Sequence, residues 1–460
     1  MKKKLLILDE PGQIISGVKV QELALEDLAQ AQALIMTFHP EYRPILDEPL
    51  AQLHRFAVAE TLPYYGADIQ QIRNNISIPE DKRQPILDAC ADIDKKQTEK
   101  LNSKTLHTAQ PLWLSKFFRV LLSEEPGAIR IEKKQVKDKK GNVKTYISLT
   151  ITTVDERLRN ILNNVLGVVF LDGTATKQSL ADTLGINPDQ ILQLEQSAPD
   201  YSNYTIKVIT GLGNCGGANP SAQMQARKNA LAQQFIKLHG TDAPILDRQG
   251  KEQKWWVDNR LQNRDAGKPA RLSFGTPYQN LGALQDRFIT LKGKYYKLGG
   301  ANQSEATDPE LQAEINRTVQ AEFIQDAWRL RSHRYPDKQF TQYYVTDFDF
   351  SFVKDELPGV KLETIDAFAF TPEAGDALQQ TKWHITQEFK KLVEQGRDIA
   401  TITQKEIAEA VNKSLAYLKK IVSAFGGWQK FKQGILALLA TYSGSIPSAE
   451  TQTPEELQWF

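Results

Sequence analysis

The feature that most constrains the fold is an alternation of strand-like and helix-like segments between residues 150 and 350. Short apolar runs bounded by turn residues alternate there with longer segments whose apolar residues recur every three or four positions. Four runs carry most of this pattern: GVVFLDGTAT, YTIKVITG, ARLSFGTP and QFTQYYVTDFDF. Such alternation predicts a parallel sheet covered by helices on both faces, closed by the last of these strands. The expected fold class is therefore α/β.

A further apolar run at residues 5–8 is followed directly by Asp9 and Glu10. A run this short predicts a buried strand of a parallel sheet. Acids at the carboxyl end of such a strand lie where open α/β sheets bind ligands. Nucleotide-hydrolysing proteins place there one acid that holds Mg²⁺ and another that orients the attacking water. The alternative is a strand that ends in two solvated acids.

Residues of about 20–127 are expected to be almost wholly helical, because their apolar positions keep three-four spacing. Trp113, Phe117 and Phe118 form an aromatic stripe at this spacing. Such a stripe predicts a core element rather than a binding platform.

Alternating residues on both sides of Lys140-Gly141-Asn142 predict a β-hairpin over about 128–152. The hairpin is rich in lysine. Its lysines would either contact phosphates or protect an edge strand from aggregation.

Composition excludes several classes of protein. The chain has 57 Lys and Arg against 56 Asp and Glu, a net charge of +1, so any nucleic-acid surface must be a local patch. Cys90 and Cys215 form no CxxC motif, and the six histidines show no metal-ligand spacing. This composition suits a reducing cytosol, and we expect a cytoplasmic protein. No apolar run approaches the roughly 18 residues of a membrane span, and the opening run meets acids too soon for a signal peptide.

Two turns between strands and helices are candidate ligand sites. Asp172, Thr174 and Thr176 follow a predicted strand, where small hydroxyl residues can relay between a nucleotide and a neighbouring domain. The simpler alternative is that Thr176 caps the next helix.

The second turn, GLGNCGG at 211–217, satisfies GxGxxG between a strand and a helix. A dinucleotide site would want an acid about 20 residues further on, and Asp242 and Asp247 are at the end of the next predicted strand. The alternative is a flexible glycine-rich loop.

A basic segment closes the predicted helix at 308–334. Gln325 and Arg329 are four residues apart, and Arg331 or Arg334 follows on what we expect to be the same helix. Arginines presented in this way can supply a guanidinium to a γ-phosphate. The alternative is a solvated basic face.

Four segments, in chain order, resemble motifs II, III, V and VI of superfamily 2 helicases of the DinG/XPD-like group: LLILDEPG, FLDGTAT, LSFGTPYQN and IQDAWRLRSHR. More closely, the chain resembles the helicase part of cyanobacterial plasmid replication proteins of the RepA type, most strongly over 160–350 and 400–435. The resemblance implies two RecA-like parallel sheets, the first incomplete, an α-helical insertion and a C-terminal helix-turn-helix. It also implies an ATP-dependent DNA helicase-like activity with ATP, Mg²⁺ and DNA as ligands.

The resemblance assigns roles to individual residues. Asp9 would hold Mg²⁺ and Glu10 would orient the attacking water. Thr174 and Thr176 would be the coupling residues of motif III, and Gly275 would contact the nucleotide from the turn of motif V.

Gln325, Arg329 and Arg331 would be the motif VI set. The chain departs from the motif in having Trp328 where the helicases have glycine. The four cysteines of the DinG/XPD iron–sulfur cluster are also absent, so no cluster is expected.

A larger departure is that no GxxxxGK[ST] occurs in the sequence, so the P-loop that cradles phosphates is missing. In the family that the chain resembles, the P-loop lies upstream of motif II. We therefore expect the chain to be the C-terminal portion of a longer replication protein, or half of a two-chain motor whose partner supplies the P-loop.

The C-terminal segment 402–432 predicts a helix-turn-helix. Thr403 is a suitable N-cap for a helix from Gln404 to Val411, and a second helix starts at Leu415. The segment holds six lysines and two glutamates, a basic patch that the net charge hides. The expected DNA-binding residues are Lys413, Ser414, Tyr417, Lys419 and Lys420. The alternative is a helix pair used only for packing.

The predicted organisation has four parts: a partial first RecA-like domain at 1–20 and 150–200, a helical insertion with a hairpin at 21–149, a second RecA-like domain at 201–370, and a helical tail at 379–460. Residues 370–378 are expected to be a linker. The leading hypothesis is a helicase-like plasmid DNA replication protein. A non-catalytic DNA-binding or adaptor protein is the second, and a nucleotide-dependent oxidoreductase the third.

Overall fold

The computed structural model describes residues 5–9, 17–59, 62, 65–102, 113–137, 142–171, 175–194, 197–217, 220–247, 264–299 and 305–441. Together these residues form a mixed α/β protein with parallel sheets, as the alternation predicts. No helix in the described ranges has the length and apolar character needed to cross a membrane.

The chain divides into two compact units. The first comprises Met1–Glu195 and Tyr278–Thr318, and the second comprises Gln196–Pro277 and Val319–Phe460. The finer domain boundaries proposed from the sequence remain predictions.

The main core of the first unit is built by α1 Leu25–Phe38, α2 Arg43–Val58, α3 Ile69–Asn75, α4 Glu80–Asn102 and α5 Leu114–Leu121. The side chains of Trp113, Phe117 and Phe118 are buried in this core. This burial confirms that the aromatic stripe is a core element.

An antiparallel sheet in the order β2-β4-β3 packs on these helices: β2 Val18–Ala24, β3 Gly127–Lys137 and β4 Val143–Val154. The pairing of β3 with β4 confirms the predicted hairpin. The expectation that residues from about 20 onward are helical is wrong for the end of β2. Helix α1 starts only at Leu25, because residues 18–24 pair with β4 along their whole length.

The other face of this sheet is covered by α9 Leu281–Lys292 and the chain that follows it. Ala128 on β3 lies in a second apolar cluster with Leu284 and Ile315. The hairpin β9 Leu298–Gly299 with β10 Glu305–Ala306 completes this layer.

A separate two-stranded parallel sheet pairs β1 Leu5–Asp9 with β5 Gly167–Leu171. It confirms the predicted parallel strand, but the predicted burial is wrong for Leu5 and Ile7, which are 58% and 60% exposed. Within the described ranges these two strands pair only with each other, and the side chains on one face, Leu5, Ile7, Val169 and Leu171, are 40% to 60% exposed.

The helices flanking β5 are α6 Glu156–Asn163 and α7 Lys177–Leu184. Helix α7 begins after the N-cap that the simpler alternative named. The Thr176 hydroxyl accepts the N–H of Ser179, and Gly185 takes the left-handed conformation that closes the helix.

The second unit is built on a five-stranded sheet in which all strands are parallel: β6 Tyr204–Thr210, β7 Ile245–Leu246, β8 Ala270–Phe274, β11 Phe340–Val345 and β12 Lys361–Asp366. The strand order is β12-β6-β11-β8-β7. It differs from both common dinucleotide- and flavin-binding orders, in which strand numbers rise outward from a central pair.

Helices cover both faces of this sheet, as the alternation predicts. On one face α8 Ala222–His239 contributes Leu231 and Phe235 to an apolar cluster. On the other face α10 Pro309–Ala327 contributes Phe323 and Ile324 to a second cluster. Two short helices, α11 Val353–Glu356 and α12 Ala367–Phe370, flank β12.

Three expectations for the second unit are wrong. Strand β11 does not close the sheet, because β12 adds an edge strand on the far side of β6. Helix α10 ends at Ala327 rather than continuing to residue 334. The expected linker at 370–378 instead packs into the apolar cluster beneath α8 through Phe370 and Ala374.

The tail comprises α13 Ala377–Glu394, α14 Gln404–Ala410, α15 Leu415–Ala424 and α16 Trp428–Thr441. The two helices predicted within 402–432 start at the expected residues, and Thr403 caps the first by accepting the N–H of Glu406. The tail has its own apolar core, to which Phe389, Ile407 and Leu418 contribute.

Candidate functional site

The carboxyl edge of the five-stranded sheet has a topological switch point between β6 and β11. These strands are neighbours, but the chain leaves β6 towards β7 and leaves β11 towards β12, in opposite directions across the sheet. Open α/β sheets bind ligands in the crevice at such a point. The loops at 211–217 and 346–350 border this crevice.

Acids surround the start of the glycine-rich loop at 211–217. The Gly211 N–H donates to Asp347 Oδ1 at 2.7 Å. A Cβ built on Gly211 would lie 2.8 Å from Asp366 Oδ2, and Gly211 has φ +81°, so only glycine fits there. Two carboxylates therefore face the position where a dinucleotide site would hold its pyrophosphate.

Cations near this loop are already engaged with the protein. The Arg227 guanidinium donates to the carbonyls of Gly211, Leu212 and Ala374 at 3.0, 3.3 and 2.7 Å. Arg227 therefore holds the start of this loop in place. Because a phosphate would meet carboxylates first, the geometry disfavours the dinucleotide hypothesis.

A buried lysine anchors the far end of the same loop. The Lys228 ammonium, on α8, donates to the Cys215 carbonyl at 3.1 Å and to Asp247 Oδ1 at 2.7 Å, and lies 5.2 Å from the Phe274 ring centre. Burial raises the pKa of the Cys215 thiol to about 11, so the thiol stays protonated and is a poor nucleophile. Sequence reasoning missed Lys228, because a single lysine on an amphipathic helix carries no signal of burial.

Gly275, the predicted motif V residue, follows β8 at this carboxyl edge. Its N–H donates to the Val345 carbonyl at 2.9 Å, and a Cβ there would lie 2.6 Å from the Gly216 backbone. The next residue, Thr276, shares a 2.7 Å hydrogen bond with Thr346. Because Gly275 has no side chain, the loop that follows β8 can pack against the glycine-rich loop at 211–217.

The predicted motif VI residues lie at the opposite, amino edge. Gln325 is in the last turn of α10, and Arg329 lies in a 3-10 turn, Trp328–Leu330, that directly continues this helix. Arg331 has φ +54°, which is uncommon for a residue other than glycine. Residues held in such conformations cluster at functional sites.

Two contacts fix this arginine-bearing turn against the starts of the strands. The Gly267 N–H, three residues before β8, donates to the Leu330 carbonyl at 2.9 Å. The Asn203 side-chain amide, directly before β6, donates at 2.9 to 3.2 Å to the carbonyls of Ser332, Tyr335 and Lys338. These contacts hold the chain that follows α10 against the amino edge of the sheet.

A buried charge cluster lies beneath the turn. Arg271, fully buried on β8, has Nη2 2.8 Å from Asp326 Oδ1 and Nη1 3.3 Å from Asp265 Oδ2. These are ion pairs by distance, although their angles are not those of hydrogen bonds. Asp326 is the residue between Gln325 and Ala327, so the cluster also holds the end of α10.

The predicted acids and hydroxyls of the first unit are only partly described. Asp9 ends β1, but its side chain lies outside what the structure describes, as do Glu10 and Thr174. Thr176 is described and acts as the N-cap of α7. Whether these residues share a site therefore stays a prediction.

In the tail, the described side chains separate the predicted DNA-binding residues into two groups. Lys413, Lys419 and Lys420 are exposed. By contrast, the Ser414 hydroxyl caps α15 by accepting the Tyr417 N–H at 3.2 Å, and Tyr417 packs partly into the tail core.

The predicted Lys419 and Lys420 belong to an exposed stripe along α15, of which the sequence analysis did not name Ala416 and Ser423. It runs through Ala416, Lys419, Lys420 and Ser423, at the three-four spacing of one helix face, while Leu418 and Val422 are buried on the other. The apolar residues of 415–422 recur on one face of the helix, so the residues between them could have been assigned to the opposite, exposed face.

Among the described residues, no group of three or more His, Cys, Asp or Glu is arranged to hold a metal ion. No protein-family model matches the chain, and no curated protein matches it.

Proposed function

We propose that the chain is a helicase-like plasmid DNA replication protein that binds DNA through its tail. Its second unit would be a RecA-like domain, and its segments resembling motifs II to VI would be remnants or parts of a motor. The fold supports this proposal because five parallel strands are covered by helices on both faces, in an order unlike the dinucleotide-binding folds.

The observation that carries DNA binding is the exposed face of α15. A four-residue turn, 411–414, joins α14 to α15, and Asn412 takes φ +51° within it. Three exposed lysines lie on the turn and the outer stripe. A second helix presented in this way is the element that enters a major groove. The lysines would contact the phosphates that flank the groove.

ATP and Mg²⁺ fit the described residues poorly. The sequence has no GxxxxGK[ST], and the glycine-rich loop of the second unit is bordered by Asp347 and Asp366. We therefore derive no hydrolytic step. The proposal includes a partner chain that supplies a P-loop. The alternative is a non-catalytic DNA-binding or adaptor protein.

The test is a salt titration of duplex DNA binding by the full chain and a triple variant, Lys413→Gln, Lys419→Gln and Lys420→Gln. Each lost phosphate contact should lower the slope of log affinity against log salt by about 0.9. A matched control removes three exposed lysines of the second unit outside the tail: Lys338→Gln, Lys354→Gln and Lys361→Gln. The control should change the slope little.

A second variant, Ala416→Glu, separates DNA binding from folding. Ala416 is exposed in the first turn of α15, where a glutamate stabilises the helix. It should leave the tail folded by circular dichroism yet weaken DNA binding, because it places a negative charge in the stripe. Unchanged binding by both variants would assign the tail to packing and refute the proposal.

A further inference from the structure

Arg227 joins the glycine-rich loop at the carboxyl edge of the sheet to the segment that leads into the tail. Its Nη2 and Nη1 donate to the carbonyls of Gly211 and Leu212 at 3.0 and 3.3 Å, and its Nε donates to the Ala374 carbonyl at 2.7 Å. Hydrogen bonds from a charged donor are about twice as strong as those from a neutral one. Because all three nitrogens are engaged, neither segment can shift without losing a hydrogen bond to this guanidinium.

The segment before the tail is fastened in turn to the first helix of the tail, α13. Ala374 ends the 3-10 turn Pro372–Ala374. The Gln380 side-chain amide, in the first turn of α13, donates to the carbonyls of Glu373 and Gly375 at 2.7 and 3.0 Å. The carbonyl that Arg227 binds therefore lies in a turn held by α13 itself.

A second set of contacts connects the same loop to α13. A Cβ on Gly211 would lie 2.8 Å from Asp366 Oδ2, so this carboxylate lies against the start of the loop. Asp366 Oδ1 accepts the N–H of Phe368 in α12 at 2.9 Å. The Phe368 ring meets the Trp383 ring of α13 edge to face, with centres 6.2 Å apart. The loop thus contacts two supports of the same helix.

Helix α13 packs against α15, the helix that we propose binds DNA. Phe389 of α13 lies in one buried apolar cluster with Leu418 and Val422 of α15. The Lys382 ammonium of α13 also lies 5.0 Å from the ring centre of Phe425, directly after α15. Close-packed interiors transmit strain, because they contain few voids that could absorb a displacement.

We propose that DNA binding by the tail and the conformation of the glycine-rich loop are coupled through Arg227. DNA bound to α15 would restrict the tail, α13 would hold the turn at 372–374, and Arg227 would hold the loop at 211–212. Coupling is reciprocal, so a ligand that moves this loop would change the affinity of the tail for DNA. The inference rests on the proposed function for its ligand, DNA, and adds a means by which the crevice regulates the tail.

A purely structural role of Arg227 is the alternative. In that role the arginine would stabilise the loop and the turn equally with and without DNA. The two roles differ in whether the loop responds when the tail is restricted, so the test measures that response.

The test is hydrogen exchange of the full chain with and without a short DNA duplex of mixed sequence at low salt, followed in peptides from 205–217. Saturating DNA should slow exchange of the loop amides by about 5-fold or more, the lower end of common coupling factors. In Arg227→Met this response should disappear, because both segments lose their shared donor. The matched control is Lys237→Met, an exposed cation of the same helix, α8, and it should respond like the unaltered chain.

A second variant tests the coupling without DNA. Leu418→Ala removes a buried side chain from the core of the tail, so the loosened tail should speed exchange at 211–217. The increase should be absent when Arg227→Met is present as well. The matched control is Leu436→Ala on α16, where the leucine is 43% exposed, and it should change exchange at 211–217 little.

The outcomes separate this inference from the proposed function. If DNA slows exchange in the tail but not at 211–217, or slows the loop equally in Arg227→Met, the coupling is refuted and DNA binding by the tail stands. If the chain binds no DNA, the proposed function fails and Leu418→Ala decides about the coupling. Exchange at 211–217 that is the same in Leu418→Ala and the unaltered chain would then overturn it.

Discussion

Replacing Arg130 should unfold or loosen the first unit, because this arginine is buried and joins distant parts of it. The side chain is 2% exposed. Its Nε and Nη2 donate to the two carboxylate oxygens of Asp286 at 2.9 and 2.8 Å. Its Nη1 donates to the Tyr65 carbonyl at 2.7 Å, and Nη2 also donates to the Gln285 side chain. One guanidinium thus ties β3 to α9 and to the segment before α3.

The magnitude follows from what is left behind. Burial alone would lower the pKa of Arg130, but the charge and hydrogen bonds of Asp286 outweigh it and raise that pKa, so the guanidinium stays charged. The substitution Arg130→Met leaves Asp286 buried without a countercharge, which costs about 3–5 kcal/mol. The Tyr65 carbonyl and Gln285 each lose a donor, at about 1–3 kcal/mol where no water replaces it. Domains are stable by only about 5–15 kcal/mol.

The assay is hydrogen exchange of peptides from β3 and α9, because a chain of two units gives no single two-state melt. These peptides should exchange much faster in Arg130→Met. The control is Arg55→Met, which removes an ion pair to Glu48 of 2.9 Å in which both side chains are 64% exposed. Such a pair contributes about 0–1 kcal/mol.

A double variant, Arg130→Met with Asp286→Leu, removes both buried charges. It should exchange more slowly than Arg130→Met alone, because the uncompensated carboxylate is then gone. The reasoning is refuted if Arg130→Met shows the same hydrogen-exchange rates as Arg55→Met. It is also refuted if the double variant exchanges faster than Arg130→Met alone.

Three further predictions concern pH, association and turnover. Burial raises the pKa of Asp94 from 3.8 to about 6, so the stability of its region falls as pH rises between these values. Asp94→Asn should therefore add about 1–3 kcal/mol at pH 7 but little at pH 4, measured by hydrogen exchange of α4 peptides at both pH values. The exposed face of β1 and β5 should promote self-association of the chain. The double variant Ile7→Thr with Leu171→Thr should reduce this association, measured by light scattering, and the control Leu192→Thr should not. The chain alone should hydrolyse ATP negligibly; turnover of about 1 s⁻¹ or more, abolished by Glu10→Gln, would contradict this.

The sequence predicts elements well where local chemistry decides them. The caps Thr176 and Thr403 define the starts of their helices through hydrogen bonds within a few residues. The alternation from 150 to 350 likewise predicts a parallel sheet, since apolar period and turn residues are local properties.

Elements decided by distant contacts were missed. Residues 328–331 are good helix formers, yet the chain leaves the helical conformation at Arg331, where Gly267 and Asn203 donate to the carbonyls of Leu330 and Ser332. Arg130 stands in an alternating strand, and its partner Asp286 comes 156 residues later in the chain. Strand β12, KLETID, has charged residues at 361, 363 and 366 and only two apolar residues, so it gave no apolar run.

The placement of the helicase-like residues in the second unit limits how they can act. Gly275 follows the carboxyl end of β8, whereas Arg329 and Arg331 lie beside the amino ends of β6 and β8. Five residues of strand, at about 3.3 Å each, separate the two edges by about 17 Å. One phosphate group therefore cannot touch both sets of residues within this unit. If Arg329 and Arg331 contact a γ-phosphate, the loop that binds that phosphate must lie outside this sheet. Arg329→Ala should then lower ATP turnover only when a partner chain with a P-loop is present. An equal effect of Arg329→Ala and Gly275→Ala on nucleotide binding by the chain alone would refute this separation of roles.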